Sequence, residues 1–240
     1  MIGLLPLLTL ALGAPEPAPV DLDRPYGLEV TVANVTTVPV LGETRVFTRS
    51  LLLVDFEVVD GVLIQRQRLC AVAVDDDARL SSTVIPPAFI AAFPHQQHAV
   101  SLEREGGAWR YHADPGPVYI GFDPAQTGGP LPQEVDSVGV VDWDGDGAPG
   151  ATVNLVVPVL GAIDLYIAQA GHSLLNGAVL ADGSIAGHVE IRTLDQRTLG
   201  ASHRLFHTSP AIRPVPALST FRLAPLEPGM DCADLASAWW

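Results

Sequence analysis

The sequence predicts an all-β domain, and three observations carry that prediction. Apolar and polar residues alternate with a period of two over many short runs. Asp60-Gly61 and Asp182-Gly183 each join two such runs, the strongest short-range signal for a hairpin. No segment sustains a helical period, and no repeat of 20 to 50 residues occurs. About ten strands joined by short turns fit a single antiparallel barrel of lipocalin-like meander type or a β-sandwich, with one or two short helices.

The chain opens on an apolar run, residues 1–13, with small residues Ala11 and Gly13 at its end, the pattern of a signal peptide. Residues 14–25, containing Pro15, Pro17 and Pro19, read as a proline-rich linker. A single β domain is expected over 26–240.

Leu28, Val30 and Val32 share one face of the first strand, with Glu29 and Thr31 on the other. Arg45 to Val59 continues the pattern and turns through Asp60-Gly61 into Val62 to Val74. In that second arm Arg66 and Arg68 share a face with Cys70 while Gln65 and Gln67 share the opposite one. An inward arginine face would make an anion site, an outward one a solvated wall. Asp75-Asp76-Asp77 closes the hairpin. Pro87 suits the first turn of a short helix at Pro86–Phe93.

Strands follow at Ala99–Arg104, Ala108–His112 and Val118–Phe122, then a loop from Asp123 to Gln133 marked by Gly128-Gly129-Pro130. After Val138–Val141, the pattern gives strands at Thr152–Val157, Ala162–Gln169, Leu174–Leu180, Ile185–Leu194, Leu199–His207 and Ser219–Leu223. Pro210–Pro216 reads as a loop and Asp231–Trp240 as a short helix.

The 240 residues are 48% hydrophobic and 17% charged, enough for a sizeable core. All 13 basic residues are arginine; against 27 acids they leave a formal charge of −14, which disfavours non-specific binding to nucleic acid or an anionic membrane and favours cations as partners. No apolar run is long enough for a membrane-spanning helix in the mature chain. Cys70 and Cys232 are expected to pair in an exported protein.

Chemistry concentrates in Asp142-Trp143-Asp144-Gly145-Asp146-Gly147-Ala148-Pro149-Gly150. Carboxylates at alternate positions before a glycine point toward one centre, as a hard cation with oxygen ligands requires. Asp142, Asp144 and Asp146 are the candidate ligands, with the Ala148 carbonyl and Asp136 completing the set around calcium; Glu134 is a further acid nearby. Position twelve is Val153 where an EF-hand needs a bidentate Glu, and the exit reads as a strand, so the loop is not an EF-hand.

His203 and His207, and His95 and His98, pair at short spacing without a third ligand. Gly171-His172-Ser173 lacks the last glycine of a hydrolase elbow and the helix that motif needs. Glu103, Glu105, Asp164 and Glu190 are acids that a glycosidase could use, but nothing in the spacing pairs them. A terminal Trp239-Trp240 is not preceded by the alternation of an outer-membrane strand.

Together with the apolar leader and the late Cys232, the segment from Asp142 to Thr152 resembles secreted β-rich proteins of myxobacterial type that carry a D-x-D-G-D-G-x-P-G-x-T turn. That resemblance implies an exported β-fold and nothing about substrate. The expectation is therefore a secreted or periplasmic, calcium-stabilised binding or structural protein, with an apolar small molecule or an envelope component as its other partner. The alternative is an extracellular hydrolase with a carboxylate or calcium-assisted site.

Overall fold

In a computed structural model, residues 20–38, 42–77 and 81–240 are described; the expected signal peptide lies outside them, as does the first half of the linker. Twelve strands form one hydrogen-bonded sheet that closes on itself. They are β1 (Tyr26–Val38), β2 (Gly42–Val59), β3 (Val62–Asp76), β4 (Ser82–Val84), β5 (Gln96–Glu105), β6 (Ala108–Ala113), β7 (Val118–Ile120), β8 (Ala151–Val157), β9 (Gly161–Val179), β10 (Ile185–Ala201), β11 (Ala211–Pro214) and β12 (Thr220–Pro225). Three short helices accompany them: α1 (Pro87–Ala92), α2 (Pro124–Thr127) and α3 (Cys232–Trp239).

The ring runs β1-β2-β3-β5-β6-β9-β10-β12 and back to β1, every pairing antiparallel. Its strands follow chain order, as a meander does. A closed ring removes the exposed edges that a sheet otherwise offers to aggregation. Further along the axis β4 and β8 occupy the place between β3 and β9 that β5 and β6 hold in the ring. β7 lies on β9, and β11 lies on β1.

Side-chain alternation fills the interior as the pattern predicts. Leu28, Leu52, Val54, Phe56, Leu175, Ile185 and Leu223 form the principal core with Tyr26, Tyr111 and Phe221. Tyr111 and Phe221 lie 5.8 Å apart across Gly177 and Gly187, which face each other on β9 and β10. A Cβ on Gly187 would lie 2.0 Å from the Asn176 carbonyl oxygen, and one on Gly177 would lie 2.7 Å from the Phe221 ring. The missing side chains let two strands curve together under two aromatic rings.

β3 settles the question its alternation left open. Gln65 and Gln67 are buried inside, and Arg66 and Arg68 face solvent. Tyr111 donates its hydroxyl proton to Gln65, Gln65 donates to Gln67, and Gln67 donates to Gln96, so the buried amides satisfy one another. Burial pushes the Tyr111 hydroxyl well above the ordinary tyrosine pKa and keeps it a donor. A bulge opposite Leu51 and Leu52 then turns Cys70 outward.

There Cys70 is bonded to Cys232, a pair separated by 162 residues, which pins α3 to the outer wall. Asp231 caps that helix through the Ala233 and Asp234 N–H groups, and the Asp234 carboxylate returns to the Asp231 N–H. Leu235 is buried with Leu51 and Leu226, and the terminal tryptophans stack near Arg222 and Arg49.

Several expectations are corrected. Ala162–Gln169 and Leu174–Leu180 belong to one strand, because β10 and β7 hold the backbone between them extended. β10 likewise joins two expected strands through two bulges. Arg204–Phe206 is a 3-10 turn, and the proline-rich loop contains β11, an edge strand on which prolines are tolerated. The 123–133 loop contains α2, started by the Asp123 side chain capping Ala125. Within residues 20–25, Val20 lies in the principal core and Arg24 donates to the Leu226 carbonyl, while Asp21, Leu22 and Asp23 are exposed.

Gly187→Ala should destabilise the fold by about 3 kcal/mol, since backbone would have to move. Cys232→Ser should cost about 2–5 kcal/mol, the long closed loop being freed in the unfolded chain. Denaturant unfolding of the oxidised protein measures both.

Candidate metal site

The aspartate loop runs between Val141 and Gly150, two residues that are themselves hydrogen bonded: Gly150 N–H donates to the Val141 carbonyl at 2.8 Å. Trp143 N–H donates back to the Gly150 carbonyl at 2.9 Å, closing the loop's neck. Gly150 and Gly121 both lie against the backbone of Ile167 on β9. A Cβ at either would stand 2.6 or 2.2 Å from the Ile167 carbonyl oxygen, and both have positive φ, so glycine is required twice over.

Trp143 points out of the loop into an apolar cluster, its ring 5.0 Å from Phe89 and 6.2 Å from Phe93, the two aromatics of the α1 segment. The proline-started helix of the sequence thus serves as the floor of the loop.

Within the loop, backbone amides hold the carboxylates. Asp142 accepts from the N–H groups of Asp146 and Gly147 at 3.1 and 3.0 Å, Asp146 accepts from Ala148 at 2.8 Å, and Asp144 accepts from Thr152 at 3.0 Å. One oxygen from each of Asp142, Asp144 and Asp146 lies within 4.8 Å of the others. Burial raises the Asp144 pKa despite the Thr152 N–H, and the charges of Asp146 and Asp142 push it the same way.

Two oxygens in this neighbourhood are buried with no hydrogen-bond partner: Asp144 Oδ1 and the Thr152 hydroxyl, the latter on a residue only 7% exposed. Buried oxygens facing no donor, beside three converging negative charges, form the donor set a hard cation takes. The three aspartates can therefore hold a metal ion.

Ala148 adjoins the group, its N–H already given to Asp146. Asp136 and Glu134 lie exposed on the preceding loop, outside the three-residue group. The Asp75–Asp77 run serves β2 instead: Asp75 pairs with Arg49 at 2.9 Å, and Asp77 accepts from Thr44 and the Arg45 N–H. Neither histidine pair converges. His203 caps the 3-10 turn through the Leu205 N–H while His207 bonds the Ala201 carbonyl. His95 is exposed, and His98 faces inward on β5 with both ring nitrogens buried and unpartnered, desolvation lowering its pKa.

A second constellation was not legible in the sequence. Ser101, His112, Asn176 and His188 are register partners on β5, β6, β9 and β10. They line an outer-wall cleft of about 500 Å³ with Glu103, Glu105 and Arg110. Asn176 donates its amide to Glu190 at 3.3 Å, so its oxygen faces His112 Nδ1 at 2.7 Å. His112 Nδ1 is then the donor to that oxygen. Arg192 fixes Glu190 at 3.0 Å. These residues are scattered over some ninety positions, and only strand register assembles them.

Trp143→Ala should cost about 2 kcal/mol of stability, less than a fully buried tryptophan because Trp143 is only partly buried, and should weaken any ion held by the loop. Thermal unfolding with and without added cation tests both effects.

No protein-family model, curated protein or solved structure matches the chain, which leaves the geometry of its own residues as the ground for a functional reading.

Proposed function

We propose that this is an exported β-barrel protein, stabilised by calcium in the aspartate loop, that works as a binding or structural component outside the cytoplasm. The observation that carries the reading is the cluster of Asp142, Asp144 and Asp146 with its unpartnered buried oxygens. Calcium suits it better than magnesium, since the loop offers several carboxylate oxygens in an irregular arrangement and no octahedral frame. The Cys70–Cys232 disulfide supports an oxidising compartment.

The ion's role is structural. The loop joins the strand bridge at Phe122 and Val140 to the start of β8, and it rests on α1 and β9. A cation there ties together segments that are distant in sequence. The principal core is occupied by tyrosine, phenylalanine and aliphatic side chains, so a partner is expected to meet the outer surface, not a lumen.

A second reading, an extracellular hydrolase, rests on the cleft with the oriented His112. An imidazole whose Nδ1–H is fixed by an amide and whose Nε2 is free has the form of a general base, and Glu103 and Glu105 add carboxylates beside it. Its test is hydrolysis of simple aryl esters and glycosides by the wild type, set against His112→Ala and Glu103→Gln.

The calcium reading predicts a ligation effect on stability. At a calcium concentration a hundred times the dissociation constant, the wild type gains about 2.7 kcal/mol, roughly 5–10 °C in midpoint. Asp144→Ala should show no calcium dependence. Equal midpoints for the wild type in calcium and in chelator would remove the structural-ion role.

A further inference from the structure

The ring of strands closes through β5 by halves. Gln96 to Ala99 pair with β3, as register partners of Gln67 to Ile64, and Val100 to Glu105 pair with β6. Among the described residues neither half has a second ladder on its other side. The first half is therefore a seam: separating it from β3 opens the barrel wall and leaves the β5–β6 hairpin formed. Segments with a single ladder are the ones that open locally before the fold as a whole does.

Polar side chains close this seam. Gln67 on β3 donates to Gln96 on β5, and Tyr111 on β6 donates to Gln65 on β3. His98 is the register partner of Gln65, yet it takes no part in the chain of amides. Both of its ring nitrogens are buried without a hydrogen-bond partner. A neutral ring bears that position at a cost, whereas an imidazolium brings two N–H groups and a charge that the site does not solvate.

The groups that face His98 do not compensate such a charge. On its inner face β3 presents the neutral amides of Gln65 and Gln67, while Arg66 points outward and pairs with Glu57. From β6 comes Tyr111, and across the core Tyr26, which accepts from the Asp21 N–H; burial keeps both hydroxyls protonated. The charge that acts on His98 is Asp114, just past the end of β6, but it is exposed and already engaged by His172 and by the Gly116 N–H, each at 2.8 Å. On the β5 side His95 is exposed, and Glu103 lies on the outer wall. Desolvation outweighs the attraction of Asp114 and holds the His98 pKa below its ordinary value.

We propose that Gln96–Ala99 is an acid-opened seam: protonation of His98 releases this half of β5 from β3, while the β5–β6 hairpin and the β9–β10 ladder stay formed. The direction follows from where the proton is accepted. A solvated histidine takes up its proton near pH 6.5, and the open seam offers that solvation while the closed one does not. Well above that pH the group makes no difference between the two forms. Each pH unit below it shifts the balance toward the open form by up to about tenfold, until the closed form is itself protonated. His98 belongs to neither the aspartate loop nor the outer-wall cleft, so the seam stands apart from both readings of function.

Hydrogen–deuterium exchange read by mass spectrometry tests this on the full oxidised chain in chelator, at pH 7.5 and 5.5. Each peptide is referred to the unfolded protein at the same pH. Peptides spanning 95–100, and those spanning 62–68 that face them, should lose protection by up to about tenfold at the lower pH. Peptides spanning 174–179 and 185–190, on the β9–β10 ladder, should keep theirs. His98→Gln retains a neutral polar side chain and should abolish the difference; circular dichroism checks that the variant folds. The wild type supplies its own readout, since an NMR titration should find the His98 ring still neutral at pH 6, where the histidines of the unfolded chain are mostly protonated.

Equal protection at the two pH values overturns the proposal. So does a loss spread evenly over the barrel, a loss that persists in His98→Gln, or a His98 ring that protonates at pH 6.5 or above in the wild type. If His98→Gln does not fold, the exchange map and the titration of the wild type decide.

Discussion

The ladder along β9 is the constraint on which the remaining structure depends. This strand pairs with β10 along nearly its whole length, and on its other side with β8, β7 and β6 in turn. Its inward residues enter successive apolar clusters: Leu175 the principal core, Ile167 the cluster under the aspartate loop, and Ile163 the cluster under the hairpin tip. Because side chains alternate strictly along a strand, a one-residue slip of β9 would turn all three out of their clusters at once. The Ile167 carbonyl is also the surface against which Gly121 and Gly150 close, so the position of the candidate metal site is set by the same ladder.

Electrostatics is distributed unevenly over this frame. Several surface aspartates in turns and caps have pKa values held below the usual range by hydrogen bonds to the carboxylate: from the Gln126 side chain and the Ala125 N–H at Asp123, from the Ser184 hydroxyl and N–H at Asp182, and from the Asp234 and Ala233 N–H groups at Asp231. Asp144 departs from that rule. It is partly buried, sits beside two like charges, and its pKa moves upward. The contrast separates turns that use aspartate for geometry from a loop that brings three carboxylates within 4.8 Å of one another. At the other end of β8 the hairpin tip exposes Val159 and Leu160.

The buried polar groups follow a similar division. Gln65, Gln67, Gln96 and Tyr111 satisfy one another within the barrel, whereas His98, Asp144 and Thr152 retain buried atoms without partners. An unmet buried polar atom costs more than a formed hydrogen bond returns. The amide chain thus contributes to the specificity of the fold.

Local chemistry made much of this legible in the sequence. Asp60-Gly61 and Asp182-Gly183 turn hairpins because glycine accepts positive φ, Pro87 starts α1, Asp231 caps α3, and Asp142, Asp144 and Asp146 converge because D-x-D-x-D-G bends the chain on its own account. The pairing of the cysteines was read from their number and is present.

What only the tertiary structure decided is everything that depends on who sits beside whom. Ala170–Ser173 is extended because β7 and β10 flank it, prolines enter β11 because it is an edge, and Gln65 faces inward because Tyr111 on another strand meets it. Ser101, His112, Asn176 and His188 share a cleft only through register. Turns and caps are settled by contacts within a few residues, whereas ladders join residues far apart in the chain, and the energy that fixes them is not written in any single segment.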